Sequence, residues 1–393
     1  MKFKRLFIDK PLSNYMDNKL IKRDIEKNIE EWLFKGKIII LYGARQVGKT
    51  TLAKKLLKQH GNQQDYFNCE IASIRQSLEK EDPIALKKNL GNGSLVVLDE
   101  AQKVKNIGLI LKLLIDTYPD MQIIATGSSS FDLSNELNEP LTGRALEFTL
   151  YPFSLKELKN IYRDYELDGQ LENFLIYGLY PEIVRNQTAI AIQLLDNLSN
   201  KYLYQDILIF DRIKKSGLIV KLLQLLALQI SQEVSINELA VNLQCSRDTV
   251  TNYLDILEKA FIIFRLRAYS RNQRKEIAKK QKIYFVDLGI RNSLISRYNN
   301  LAVRDDIGAL WENFCVSERL KKIQADNLFC KKYFWRTTDQ KEVDYVEEYN
   351  DRLDGYEFKW AKNKISAPKE FLAYKNSRVI LINKFNYKNF LLG

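Results

Sequence analysis

Histidine occurs once in these 393 residues, at His60, so the chain cannot build a multi-histidine metal centre, and histidine-based acid–base catalysis is not expected. Cysteine is almost as scarce. Cys69, Cys245, Cys315 and Cys330 have neither the paired spacing of a zinc site nor the density of a disulfide framework, which suits the cytoplasm. No apolar run reaches the roughly 18 residues of a membrane helix. The longest, Leu218 to Ile230, is broken by Lys221, Gln224 and Gln229, so no membrane partner is expected. The opening MKFKRLFIDK has no apolar signal core before Asp9. The 16 glycines and 7 prolines are too few for a collagen-like or low-complexity chain. At about 100–200 residues per domain, two to four domains are expected.

Charge is unevenly placed. The chain carries a net +12, and residues 216–393 hold +9 of it, with 30 basic against 21 acidic residues. A basic second half favours a polyanionic partner, with DNA the first candidate.

Lys37 to Tyr42 reads as a short β-branched strand buried on both faces. It runs into Gly43-Ala44-Arg45-Gln46-Val47-Gly48-Lys49-Thr50, and helical spacing follows through Thr51, Leu52, Leu56 and Leu57. Strand, G-x-x-x-x-G-K-T, helix is the context of a phosphate-binding loop. Gly43 and Gly48 allow the tight turn that points successive N–H groups inward, and the helix N-terminus adds partial positive charge. Residues Gly43 through Thr51 would hold ATP or ADP, with Lys49 on the β- and γ-phosphates and the Thr50 hydroxyl on Mg²⁺. A second buried run, Leu95 to Leu98, ends in Asp99-Glu100. Carboxylates at a buried strand end need a cation or a site. Asp99 would hold Mg²⁺, and Glu100 would activate the attacking water. A third run, Gln122 to Ala125, ends in Thr126-Gly127-Ser128, where Thr126 or Ser128 could orient that water or sense the γ-phosphate. Arg144, ahead of the extended Leu146 to Leu150, could neutralise transition-state charge.

In this order the motifs resemble the AAA+ type of P-loop ATPase. The nearest group is the bacterial and archaeal one whose core is followed by a DNA-binding-like segment and a C-terminal domain of unknown function. Leu141-Thr142-Gly143-Arg144, Tyr151-Pro152-Phe153-Ser154 and Tyr177-Gly178-Leu179-Tyr180-Pro181-Glu182 look like that group. The resemblance implies an α/β fold with a parallel five-stranded sheet. It matches Gly43 to Thr50 with Walker A, Asp99 and Glu100 with Walker B, Thr126 or Ser128 with sensor 1, and Arg144 with the arginine finger. A finger acting in trans would require a homo-oligomer; one acting in cis would not.

The chain then divides, as read, into a helical segment (1–36), the ATPase core (37–155), a helical lid (156–215), a winged helix-turn-helix (216–275) and a nuclease-like α/β domain (276–393). Arg185 in the lid segment is a candidate second arginine sensor. In 216–275, three helices precede the strand-like Phe261 to Tyr269, and Ser246, Arg247, Thr249, Thr251 and Asn252 would open a recognition helix. In 276–393, Lys341 to Val346 and Tyr356 to Trp360 alternate as half-buried strands. Alternation puts Glu342 with Asp344 on one face, and Glu357 with Lys359 on one. Asp344 followed by Glu357-x-Lys359, with Glu312 as a helical acid, resembles the PD-(D/E)XK nucleases, although Val343 stands where that pattern has proline. The resemblance implies Mg²⁺ on Asp344 and Glu357. The function read from the chain is an ATP-binding, Mg²⁺-dependent ATPase coupled to DNA binding or processing. The alternative is a nucleotide-dependent binding switch whose C-terminal domain is catalytically inactive.

Overall fold

The computed structural model describes residues 20–127, 141–186, 188–199, 216–270 and 281–393. Its first sheet is five-stranded and wholly parallel, in the order β2-β3-β4-β1-β5. The strands are β1 (Ile38–Tyr42), β2 (Tyr66–Asn68), β3 (Leu95–Asp99), β4 (Gln122–Gly127) and β5 (Ala145–Thr149). Parallel neighbours need crossovers, and helices that cover both faces bury the central strands completely. Every residue of β1, β3 and β4 is buried. Along β1, Ile39 and Leu41 enter one core with Leu52, Leu56, Val97 and Ile124. Ile38, Ile40 and Tyr42 enter the other with Val96, Leu98, Leu111 and Ile123. Each fully buried aliphatic side chain contributes about 1.5–3 kcal/mol. The continuous apolar run that read as a strand buried on both faces is thus the seam between two cores.

Short helices follow at Leu155–Leu158, Asp164–Tyr177, Pro181–Val184 and Thr188–Asn197. Three more, Ser216–Leu228, Ile236–Leu243 and Arg247–Lys259, precede the strand Ile263–Ala268. Ser235 and Ser246 cap the latter two by accepting from the Glu238 and Thr249 amides, as short polar residues at an N-cap do. A second sheet has seven strands in the order β12-β11-β10-β9-β7-β8-β6. They are β6 (Glu233–Val234), β7 (Ile263–Ala268), β8 (Gln281–Phe285), β9 (Lys331–Arg336), β10 (Glu342–Tyr349), β11 (Arg352–Phe358) and β12 (Ser377–Ile382). β7 pairs antiparallel with β8 and parallel with β9. One sheet therefore runs through both 216–275 and 276–393.

The 19-residue helix Ile307–Ala325, about 28 Å long at 1.5 Å per residue, joins the two sheets. Near its start Trp311 donates to the Ile382 carbonyl, and Asn313 bonds both backbone groups of Phe285. Near its end Glu318 accepts from the Leu155 amide, Lys321 donates to the Phe153 carbonyl, and Gln324 donates to the Thr149 carbonyl. A second junction joins Tyr177-Gly178-Leu179 to the helix Leu288–Leu294. Buried Asp287 accepts from the Leu179 and Gly289 amides, and Asn292 donates to the Leu175 and Ile176 carbonyls. The backbones nearly touch there: a Cβ on Gly289 would lie 2.1 Å from the Tyr177 carbonyl oxygen.

Gly289→Ala should therefore destabilise the chain by about 1–3 kcal/mol through overpacking. Gly169→Ala, in open space on the helix Asp164–Tyr177, should stabilise by about 0.5–1 kcal/mol. Urea midpoints compare the two, and equal midpoints would contradict the tight junction.

Candidate functional site

Parallel strands end at a common edge, and the carboxyl ends of β1, β3 and β4 bring three sequence motifs together there. β1 delivers the loop Gly43–Gly48. Gly43 has φ +153°, and a Cβ on it would meet the Leu150 carbonyl oxygen at 2.2 Å. Gly48 has φ +99° and caps the helix Lys49–His60 in the left-handed region. Lys49 is buried, and its ammonium donates to the Gly43 and Ala44 carbonyls at 2.8 and 2.9 Å. Thr51 follows Thr50 into the first turn, and Val47 is fully buried beneath the loop.

Asp99 is the hub. It is 4% exposed, and a buried carboxylate must be met by donors. Three hydroxyls meet it: Thr50 at 2.8 Å, Thr126 at 2.5 Å and Tyr66 at 2.6 Å. Glu100, next in the chain, has φ +54°, a region that costs a non-glycine residue about 1–3 kcal/mol and concentrates at functional sites. Its amide donates to the Thr126 hydroxyl at 3.1 Å, and its carboxylate accepts from Gln102 at 2.6 Å. Carboxylate and threonine hydroxyl are the hard oxygen donors that Mg²⁺ takes, usually with waters and phosphate oxygens completing its shell. The residues present fit that ion. Cys69 is no nucleophile here: burial, then Asp99 and Glu100, push its thiol up to about 12.

Several residues of this site carry no signal in the linear sequence. Tyr66 reaches Asp99 only because β2 pairs with β3, with Asn68 opposite Asp99. Arg23 donates to the Val47 carbonyl of the loop at 2.6 Å and to the Tyr151 carbonyl at 2.5 Å, pairs with Glu157 at 2.9 Å, and lies over the Phe153 ring. A cavity of about 140 Å³ beside the loop is lined by Ile21, Arg23, Gly48, Thr51, Phe153 and Arg185, so Arg185 is brought to the loop's flank.

Arg144 is not brought to this edge. Its carbonyl accepts from the Ile38 amide at the opposite end of β1, five residues and roughly 16 Å from the loop at 3.3 Å per residue. Its guanidinium pairs with Asp116 at 2.6 Å on the surface. No role in cis follows from that position. Ser128 lies outside the described residues.

The second predicted group does converge. Tyr345 of β10 stands opposite Tyr356 of β11, which sets Asp344 and Glu357 one step further along the pair. Asp344 accepts from the Phe358 amide at 2.8 Å and from Lys359 at 3.3 Å, and Lys359 pairs with Glu357 at 3.0 Å. Glu312, from the helix Ile307–Ala325, accepts from Tyr284 at 2.8 Å and from Lys282 at 2.8 Å; Lys282 also pairs with Glu342. Burial, then Asp344, raises Glu312 to about 8 against the pull of Lys282. Burial and Asp344 likewise raise Glu357 to about 7 against Lys359. Among the described residues, no three His, Cys, Asp or Glu side chains form a metal-binding group. The predicted acids are bridged by lysines instead, so a Mg²⁺ shell on Asp344 and Glu357 does not fit the arrangement as it stands. A cavity of about 710 Å³ opens against Glu357 and Lys359, rimmed by Lys341, Lys362, Lys364 and Lys369.

In the helix Arg247–Lys259, Arg247 and Asn252 are exposed. Arg265, on β7, is held by Asp255 and Glu258. No helix among the described residues is long and apolar enough to cross a membrane.

Residues 35–159 match a family described as an AAA domain. Residues 168–301 and 307–387 match two further domains, each of unknown function. The chain is similar to an uncharacterized protein of Mycobacterium tuberculosis, 27% identical over 343 residues, 86% of this chain and 74% of that one. It is also similar to one from Methanocaldococcus jannaschii, 26% identical over 358 residues, 80% of this chain and 72% of that one. A third, from Haemophilus influenzae, is 25% identical over 341 residues, with 80% of each chain covered. A solved Vibrio cholerae protein aligns at 12% identity over 90% of this chain and 96% of its own, with a TM-score of 0.17, too low to bear on the fold. The five strands of the parallel sheet all lie within the residues that match the AAA domain family.

Beside the loop, burial first and then Glu157 raise the Asp24 carboxyl from 3.8 to about 6, against Lys156 and a hydrogen bond from Ser154. A folded-state value above the unfolded one means that the protonated acid favours folding. That contribution is complete below 3.8 and is lost as pH rises toward 6. Asp24→Asn should therefore gain stability over the wild type as pH goes from about 4 to about 7. Thermal melts across that window check it; a difference that does not change with pH would refute the assignment.

Proposed function

We propose that residues 37–155 bind ATP with Mg²⁺ and hydrolyse it. The observation that carries this reading is the junction of Lys49, Thr50, Asp99 and Thr126 at one sheet edge. Bound Mg²⁺ supplies charge neutralisation between the phosphates. The chain's own residues do the rest. Gly43 to Gly48 present backbone N–H groups to the phosphate oxygens, and Lys49 exchanges its two carbonyl partners for the β- and γ-phosphates. Thr50 and Asp99 would hold the ion, both through hard oxygen atoms. Glu100 takes the proton from the attacking water, and Thr126 aligns Asp99 with the Glu100 backbone by bonding both. The cavity flanked by Ile21, Gly48, Thr51 and Arg185 accommodates the remainder of the nucleotide. Arg144 would serve only in a neighbouring copy's site, which requires a homo-oligomer.

The use made of that energy forms the second part of the proposal. Residues 156–215 act as a lid, 216–275 as a winged helix-turn-helix and 276–393 as a nuclease-like domain, with DNA the partner favoured by the +9 charge of 216–393. Glu312, Asp344, Glu357 and Lys359 form the nuclease-like centre. One observation favours the second reading, a nucleotide-dependent switch whose C-terminal domain does not cut: lysines bridge all its acids. In either reading the recognition helix offers Arg247 to DNA, while Arg265 of β7 is neutralised by Asp255 and Glu258 of that helix.

Lys49→Ala should weaken ATP binding by roughly 100-fold or more, because a preorganised buried cation is lost. Calorimetry measures it, and an unchanged dissociation constant removes the proposal. Glu100→Gln should bind ATP normally and release phosphate about 10²–10⁴-fold more slowly, the span of general-base catalysis. Wild-type turnover in that variant would transfer the base role elsewhere.

A further inference from the structure

The C-terminal acidic centre already contains a cation. Lys282 is contributed by β8, thirty residues before Glu312, and its side chain is 2% exposed. Its ammonium lies on Glu312 at 2.8 Å and on Glu342, below the Phe334 ring. Tyr284, two residues on and on the same face of β8, donates to the same Glu312 oxygen at 2.8 Å. Arg336 then links Glu342 to Glu233 of β6 at 3.5 and 3.2 Å. A continuous chain of contacts thus runs Glu233–Arg336–Glu342–Lys282–Glu312. On the other side, Lys359 occupies Asp344 and Glu357.

We propose that Lys282 is the resident cation of this centre and closes it to divalent metal ions. The inference rests on the nuclease-like reading of Glu312, Asp344, Glu357 and Lys359, and it concerns what that centre admits. The physical reason is competition for the same oxygens. Mg²⁺ and Mn²⁺ need carboxylate oxygens at about 2.0–2.2 Å in a near-octahedral shell. The Lys282 ammonium occupies Glu312 and Glu342 while Lys359 occupies Asp344 and Glu357, so an entering divalent ion meets held oxygens and the repulsion of a buried positive charge. The reverse also holds. Glu312 and Glu342, with side chains only 12% and 24% exposed, lack this counter-charge without Lys282, and a poorly compensated charge at such depth is unfavourable. A variant without the ammonium therefore recruits a cation from solution.

The test is Mn²⁺ titration by electron paramagnetic resonance, without nucleotide, on the full chain. Wild type, Asp344→Asn, Lys282→Met and the Lys282→Met/Asp344→Asn double variant are compared. Any Mn²⁺ at the phosphate loop is common to all four and cancels. Wild type and Asp344→Asn should bind equally. Lys282→Met should gain one site, tighter by about 10- to 1,000-fold, the span an adjacent charge exerts on a proton equilibrium. The double variant should lose it. A Mn²⁺ present in wild type and absent from Asp344→Asn overturns the proposal, as does a folded Lys282→Met that takes up none. If circular dichroism shows Lys282→Met unfolded, Lys282→Gln, which keeps a donor for Glu312, takes its place, and the wild-type comparison decides independently. Plasmid cleavage separates the two layers. Lys282→Met that binds Mn²⁺ yet leaves DNA uncut sinks the nuclease reading and leaves closure standing. Wild type that binds Mn²⁺ at Asp344 sinks closure whatever the DNA shows.

Discussion

A carboxylate held out of water at the end of a parallel strand has to be satisfied by what the neighbouring strand ends supply, and at Asp99 they supply hydroxyls. Thr50 from the first turn of the helix after β1, Thr126 from β4 and Tyr66 from β2 all donate to it. This demand ties the start of the helix Lys49–His60, β2 and β4 to the end of β3. All three donors are neutral hydroxyls. The arrangement is satisfied without a nucleotide and remains suited to one.

The other constraint is the helix Ile307–Ala325. At one end it carries Glu312 into the C-terminal centre, and at the other Glu318, Lys321 and Gln324 into the backbone that follows β5. Arg23 sits on the same backbone through the Tyr151 carbonyl and on the phosphate loop through the Val47 carbonyl. Buried carbonyls and charges leave little slack, since each broken contact strands an unsatisfied group. The phosphate loop and the acidic centre are therefore linked by continuous hydrogen-bonded structure. Linkage of this kind is a physical connection; a change of state in one site on filling the other is a separate matter.

Legibility in the sequence followed the range of each interaction. Gly43 to Thr50 and Asp99-Glu100 were readable because tight turns, helix starts and buried-strand ends are local events with local residue signatures. Asp344 and Glu357-x-Lys359 were readable for the same reason, through strand alternation. Tyr66, Gln102, Arg23 and Lys282 were not, because each acts through a partner set by strand order or by a distant helix. Arg144 shows the converse: its place before a strand suggested proximity to phosphate, but parallel pairing put the start of β5 at the far edge from the loop.

By itself the sequence determined the chemistry available at each turn and strand end: a loop able to cradle phosphate, an acid pair after a buried strand, and a carboxylate–lysine alternation near the C-terminus. Those follow from backbone sterics and side-chain period, which need only a few adjacent residues. Only the tertiary structure decided which charges neutralise which. It gave Asp99 three hydroxyl donors, and it threaded Lys282 from β8 into the acids of β10 and the helix Ile307–Ala325. Electrostatic pairing depends on distance in space, and a chain that folds two sheets around one helix sets those distances without regard to sequence separation.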